Sequence, residues 1–249
     1  MLALKLFLVP AFLALISLAG RRWGPGIAGW LAGLPVLTGP ILFLLALEQG
    51  AAFAAAAAIV SLAAVLGAIA FILTYARLCA RFSPWISLLA GLGSWCCAAI
   101  VLTQLPLTIL TSSAIALVTL LAAPKLFPRV TGPLTAAGMP MSELLLRMFA
   151  GASVTLAVTA LAQAIGSSWT GMLAVFPVFA IVLSVFSQRL AGPAFTMLLL
   201  RAMSLGLYSF AAFCFSLALL LPHQGIAVSF SGAIALALAV QWALKSRLA

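Results

Sequence analysis

The chain has 249 residues, 66% of them hydrophobic and 6% charged, and carries a formal net charge of +10. A soluble domain is about 25% charged, so a water-soluble globule of this size could not be dressed by so few charges; the composition predicts an all-α, polytopic membrane protein. With no Asp, two Glu (Glu48, Glu143) and one His (His223), it also excludes chemistry built on several carboxylates or on a Ser/His/Asp triad.

A helix that crosses the hydrocarbon core takes about 20 residues. Nine spans follow: 2–19, 26–47, 51–76, 85–103, 107–122, 144–162, 169–188, 193–221 and 226–244. The first could instead be a cleaved signal peptide, since Lys5 precedes an apolar run and Ser17-Leu18-Ala19 resembles a weak cleavage site. The eighth is too long to stand upright and is expected to tilt, or to bend near Gly206. Residues 123–142, rich in Pro and Gly, form a linker between the halves.

The basic residues support an odd number of spans. With nine, Arg21, Arg22, Arg77, Arg81, Lys125, Arg129, Arg189, Lys245 and Arg247 all fall on one side, and only Lys5 lies on the other. Lys and Arg accumulate on the cytoplasmic face. The chain is therefore expected in the inner (plasma) membrane, N-terminus outside and C-terminus in the cytoplasm.

The halves also repeat one another. Shifted by 142 positions without gaps, Gly29, Leu31, Ala32, Pro35 and Val36 fall on Gly171, Leu173, Ala174, Pro177 and Val178; over residues 1–54 there are twelve identities. Gly24 meets Gly166, Gly50 meets Gly192, and Lys5 meets Arg147. Three regions follow: a first four-helix repeat (1–104), a linking helix with its cytoplasmic linker (105–142) and a second four-helix repeat (143–249). Four helices return the chain to its starting side and the linking helix carries it across. The second repeat then enters from the opposite face, giving two inverted repeats of the kind found in carriers.

Residues 171–192 (GMLAVFPVFAIVLSVFSQRLAG), with the core Phe176-Pro177-Val178-Phe179-Ala180, resemble the GlpM-type family of small four-helix inner-membrane proteins. The likeness covers about the last hundred residues and, more faintly, the first hundred as Leu34-Pro35-Val36-Leu37. It implies membrane residence and four helices per unit, and transfers no catalytic residue.

Candidate site residues follow from bilayer energetics. A mid-helix proline lacks an N–H donor and frees the carbonyl one turn earlier, here Leu31 for Pro35 and Leu173 for Pro177. In lipid those carbonyls need a neighbour, a water or a ligand; the alternative is a packed kink eased by small neighbours. Arg201 lies about 12 Å into its span, with Ser204 and Tyr208 on the same helical face. An intramembrane Arg marks a functional site by default, so its guanidinium is expected to face the interior and bind an anion. Arg147 is either a further substrate contact or a residue that snorkels to headgroups.

The expected function is a secondary transporter of a small organic anion or amphipathic metabolite, working by alternating access. The alternatives are a translocator of an anionic lipid or lipid-linked phosphate, and a membrane scaffold or assembly subunit. No enzymatic activity, cofactor or metal is expected, and Cys79, Cys96, Cys97 and Cys214 read as packing residues. Membrane lipids are the expected partners beside the solute, homo-oligomers are left open, and nucleic acid is not expected because the basic charge follows the positive-inside asymmetry.

Overall fold

A computed structural model describes residues 2–130, 140–165 and 176–244. Among them lie ten helical elements and no strand: α1 (Leu2–Trp23), α2 (Pro25–Ala32), α3 (Thr38–Glu48), α4 (Ala51–Ala63), α5 (Val65–Leu78), α6 (Pro84–Thr103), α7 (Ile109–Leu126), α8 (Met141–Ile165), α9 (Val178–Leu220) and α10 (Ile226–Ala243). Seven helices are long and apolar enough to cross a membrane, counting α4 and α5 as one across the turn at Ala64. The protein is a polytopic helical membrane protein.

Local sequence explains several ends. Ser83 starts α6, accepting a 3.5 Å hydrogen bond from the Ile86 N–H, with Pro84 next. Thr108 and Thr111 form a reciprocal capping box at α7. Gly24 and Gly50 take φ of 87° and 92°, open to glycine and strained for L side chains, and turn the chain from α1 into α2 and from α3 into α4.

Three expectations are corrected. The span at 26–47 is two helices: α2 ends at Ala32, residues 33–37 are non-helical, and α3 begins at Thr38. The seventh and eighth spans are joined in the 43-residue α9, whose break is at Gly192 (φ 81°) rather than Gly206. Gly206 stays helical and serves packing: a Cβ there would lie 2.5 Å from the Trp30 carbonyl oxygen and 2.8 Å from the Gly33 Cα. Backbones this close need glycine on both sides. The linker is shorter than expected, since α7 runs on to Leu126 with Pro124 inside it and α8 starts at Met141.

Helix α9 packs against α2, α4, α5, α7, α8 and α10, so the core surrounds it. Within their most apolar windows α4–α5 and α9 are 61% and 67% buried, against 22–33% for the other five spans. The outer spans expose Leu89, Leu110, Val118, Phe149 and Trp242, as lipid-facing helices do.

A chain of contacts gathers several helix ends at one end of the bundle. Arg147 Nη1 donates to Ser17 Oγ (3.3 Å), and its guanidinium lies 5.7 Å from the Phe186 ring centre. Two residues on, Gln188 donates to the carbonyls of Cys79 and Phe82, and Arg77 donates to the Leu126 carbonyl. The C-terminal ends of α1, α5 and α7 and residues 186–188 of α9 thus meet the start of α8. These are the ends that carry Arg21, Arg22, Arg77, Arg81, Lys125 and Arg189.

Candidate functional site: a cavity beside an interrupted helix

Proline at 35 leaves the chain without a donor, and the break at 33–37 is partly sealed by its own backbone. Leu34 N–H donates to the Leu31 carbonyl (3.1 Å) and Gly39 N–H to the Pro35 carbonyl (2.8 Å). The Leu31 carbonyl, expected to be free, is therefore partnered; a tight turn brings the Leu34 N–H to it. Pro177 stands at the equivalent place as the N-cap of α9, with the Val178 N–H bonded to the Phe176 carbonyl (2.8 Å) and the Ile181 N–H to the Pro177 carbonyl (3.0 Å). Leu173 lies outside the described residues. Neither α3 nor α9 has a side-chain cap on its first turn.

Between the break at 33–37 and the start of α9 lies a half-open cavity of about 90 Å³. Its walls come from the end of α2, the break, the start of α5, residues 176–180 and the face Met203–Leu207–Phe210 of α9. Five pairs of residues 142 apart line it together: Leu34 with Phe176, Leu37 with Phe179, Thr38 with Ala180, Val65 with Leu207, and Ala68 with Phe210. Among the described residues the lining is apolar, and Thr38 supplies the one polar side chain.

Arg201 is elsewhere, which corrects the expectation that it faces the interior. It is exposed on the outside of α9. At about 100° per residue, Met203, Leu207 and Phe210 lie roughly 120–180° around the helix from it. Ser204 is buried and donates to the Arg201 carbonyl (2.7 Å). Tyr208 donates to the Leu120 carbonyl (2.7 Å), tying α9 to α7. The three residues do not form an anion site on the cavity wall.

Arg147 is the buried cation. It is 3% exposed and its Nε lies 3.7 Å from Glu143 Oε1. The expectation of a snorkelling side chain is corrected: a carboxylate four residues earlier on α8 accompanies the charge inward. Arg147 does not line the cavity either.

Sequence reasoning missed Thr38, the phenylalanine wall and the Gln188 contacts. The repeat register held a signal for the wall, because Phe176, Phe179 and Phe210 fall on Leu34, Leu37 and Ala68. Among the described residues no group of His, Cys, Asp and Glu could hold a metal ion. Comparison with protein-family models, with curated proteins and with solved structures finds no match to this chain.

Proposed function

We propose that this protein is a secondary carrier of the cytoplasmic membrane that moves a small organic anion or amphipathic metabolite by alternating access between two inverted repeats. The observation that carries the proposal is the cavity: residues 142 apart line it together, between the break at 33–37 and the start of α9. Paired broken helices at the repeat interface are where carriers hold their substrates.

Helix boundaries and orientation support the repeat. α4–α5 (51–78) and the second arm of α9 (193–220) coincide after the 142-residue shift, as do Gly50 and Gly192, both at positive φ. α1 and α8, which overlay in that register, pack antiparallel: Arg147 reaches Ser17, while Gly151 sits against Leu13 and Val9. Antiparallel partners are what a two-fold axis in the membrane plane generates. Basic residues gathered at one end of the bundle support an N-out, C-in orientation.

The apolar lining favours a second reading, a translocator that passes the tails of an anionic lipid or lipid-linked phosphate. Cysteines at Leu34 and Phe176, in a variant without the native cysteines, separate the readings. In sealed vesicles of defined orientation a carrier exposes these sites to impermeant thiol reagents from each side in turn, and its solute shifts the balance. A lipid translocator flips a fluorescent anionic phospholipid instead. Protection from both sides with no lipid flipping would leave a scaffold.

A further inference from the structure

We infer that Thr38 is the polar anchor of the cavity, holding the carboxylate head of an amphipathic monocarboxylate whose apolar body lies against Phe176, Phe179 and Phe210. The inference rests on the cavity being a ligand site, as proposed above, and names what it selects.

The first argument is the state of the hydroxyl. Ser and Thr inside helices usually return their proton to a carbonyl one turn back. Ser61, Ser113, Ser153, Thr155 and Thr196 do so here, onto Ala57, Ile109, Phe149, Gly151 and Gly192, whereas Ser87, Ser112 and Ser187 have no partner among the described residues and do not border the cavity. Thr38 is the first residue of α3, so the residue four positions earlier, Leu34, lies in the break. Nor can it cap α3, because capping belongs to the residue before the first turn, here Leu37. Among the described residues its hydroxyl has no hydrogen-bond partner, and it borders the cavity.

The second argument is the asymmetry of the walls. At three matched positions the first repeat offers Leu34, Leu37 and Ala68 where the second offers phenylalanine, and Thr38 faces Ala180 across the register. Among the described lining residues those of the second repeat are aromatic and aliphatic, while those of the first are less bulky and include the hydroxyl. A ligand with one polar end and one apolar body fits such walls in a single orientation.

The third concerns charge. Among the described residues no charged side chain lines the cavity. The uncapped starts of α3 and α9 border it, and each helix N-terminus carries partial positive charge. Together they favour a single anionic head and disfavour a cation.

Binding of radiolabelled octanoate to the purified full-length protein in nanodiscs tests the inference, with octanol and octylamine as competitors. The expected result is saturable octanoate binding, weaker displacement by octanol and little by octylamine. Thr38→Val keeps the shape and removes the hydroxyl; it should weaken octanoate binding by about tenfold or more, the scale of a hydrogen bond to a charged group. Thr38→Ser should stay within about threefold of wild type. Ala68→Phe, which copies the second repeat's residue into the first, should abolish binding by filling the space. Each variant is first checked for an unchanged elution profile and melting temperature; should Thr38→Val fail that check, the comparison of Thr38→Ser with Ala68→Phe and the competitor order decide. Octanoate binding untouched by Thr38→Val or by Ala68→Phe, octylamine competing as well as octanoate, or no saturable binding of octanoate would overturn the inference. Binding that behaves as expected without octanoate uptake into vesicles would instead overturn the carrier and leave the site standing.

Discussion

Tyr75 and Gln188, 113 positions apart, are joined by a 2.7 Å hydrogen bond from the phenol to Gln188 Oε1. The same carboxamide donates at 2.9 Å to the carbonyls of Cys79 and Phe82. One side chain thus closes the end of α5 onto α9 at the basic end of the bundle. In the 142-residue register Gln188 corresponds to Ala46, and Tyr75 to Leu217. The clamp has no polar counterpart at the equivalent place.

Removing Gln188 should therefore cost more than one hydrogen bond. Tyr75 is fully buried, and without Gln188 its hydroxyl keeps only Ser184 nearby; a buried hydroxyl short of a partner costs up to about 1–3 kcal/mol. Gln188→Leu is expected to lower the melting temperature in detergent by several degrees, and Tyr75→Phe by less, because it removes the buried hydroxyl altogether. Equal shifts for the two variants would show that the carboxamide's bonds to Cys79 and Phe82 add nothing.

Arg147 and Glu143 give a second prediction, with a built-in rescue. Arg147 is almost wholly buried, while the Glu143 side chain keeps 19% of its exposure. Breaking a buried ion pair strands its partner and costs about 3–5 kcal/mol, whereas replacing both partners is often neutral. Water at Glu143 puts the expected loss for Glu143→Gln at or below the lower figure. Arg147→Met combined with Glu143→Gln should recover most of it. A double-mutant cycle by thermal unfolding measures the coupling, and additive losses would show that the two charges do not act as a pair.

Hydropathy and basic residues made the membrane class and the outer spans legible, because a bilayer demands long apolar helices whatever their neighbours. The rotation of those helices was not legible. Lipid and protein core are both apolar, so sequence pattern does not tell an inward face from an outward one, and Arg201 was assigned to the wrong side. The Glu143–Arg147 pair carried a local signal, the four-residue spacing. The Gln188 clamp carried none, since its partners lie more than a hundred residues away. Pro35 marked the broken helix correctly, yet the free polar group at the break is the neighbouring hydroxyl of Thr38 rather than the Leu31 carbonyl.

The outward placement of Arg201 yields a prediction opposite to the one its sequence position suggests. Arg201→Leu should leave octanoate binding within about twofold of wild type, because the cavity face of α9 lies roughly 120–180° around the helix from it. Stability should change by no more than about 0.5 kcal/mol, as for other exposed substitutions. A tenfold loss of binding would return Arg201 to the site.

The glycines at positive φ supply the last prediction, which bears on the repeat. Gly50 (φ 92°, ψ 163°) and Gly192 (φ 81°, ψ 178°) occupy a backbone region open essentially to glycine alone. A Cβ at either would meet nothing within 4 Å, so an alanine would suffer from backbone conformation and not from crowding. Gly50→Ala and Gly192→Ala should each destabilise by about 1–3 kcal/mol. Gly93 is the control: it also has open space around it, but sits inside α6 with no positive φ. Alanine there removes chain freedom from the unfolded state and should be neutral or stabilising by about 0.4–1 kcal/mol. If the two turns are matching hinges of one repeated unit, their alanine variants will lose similar stability and the double variant will lose roughly the sum. Strong destabilisation at one and none at the other would mean that the shared backbone angles do not reflect a shared mechanical role.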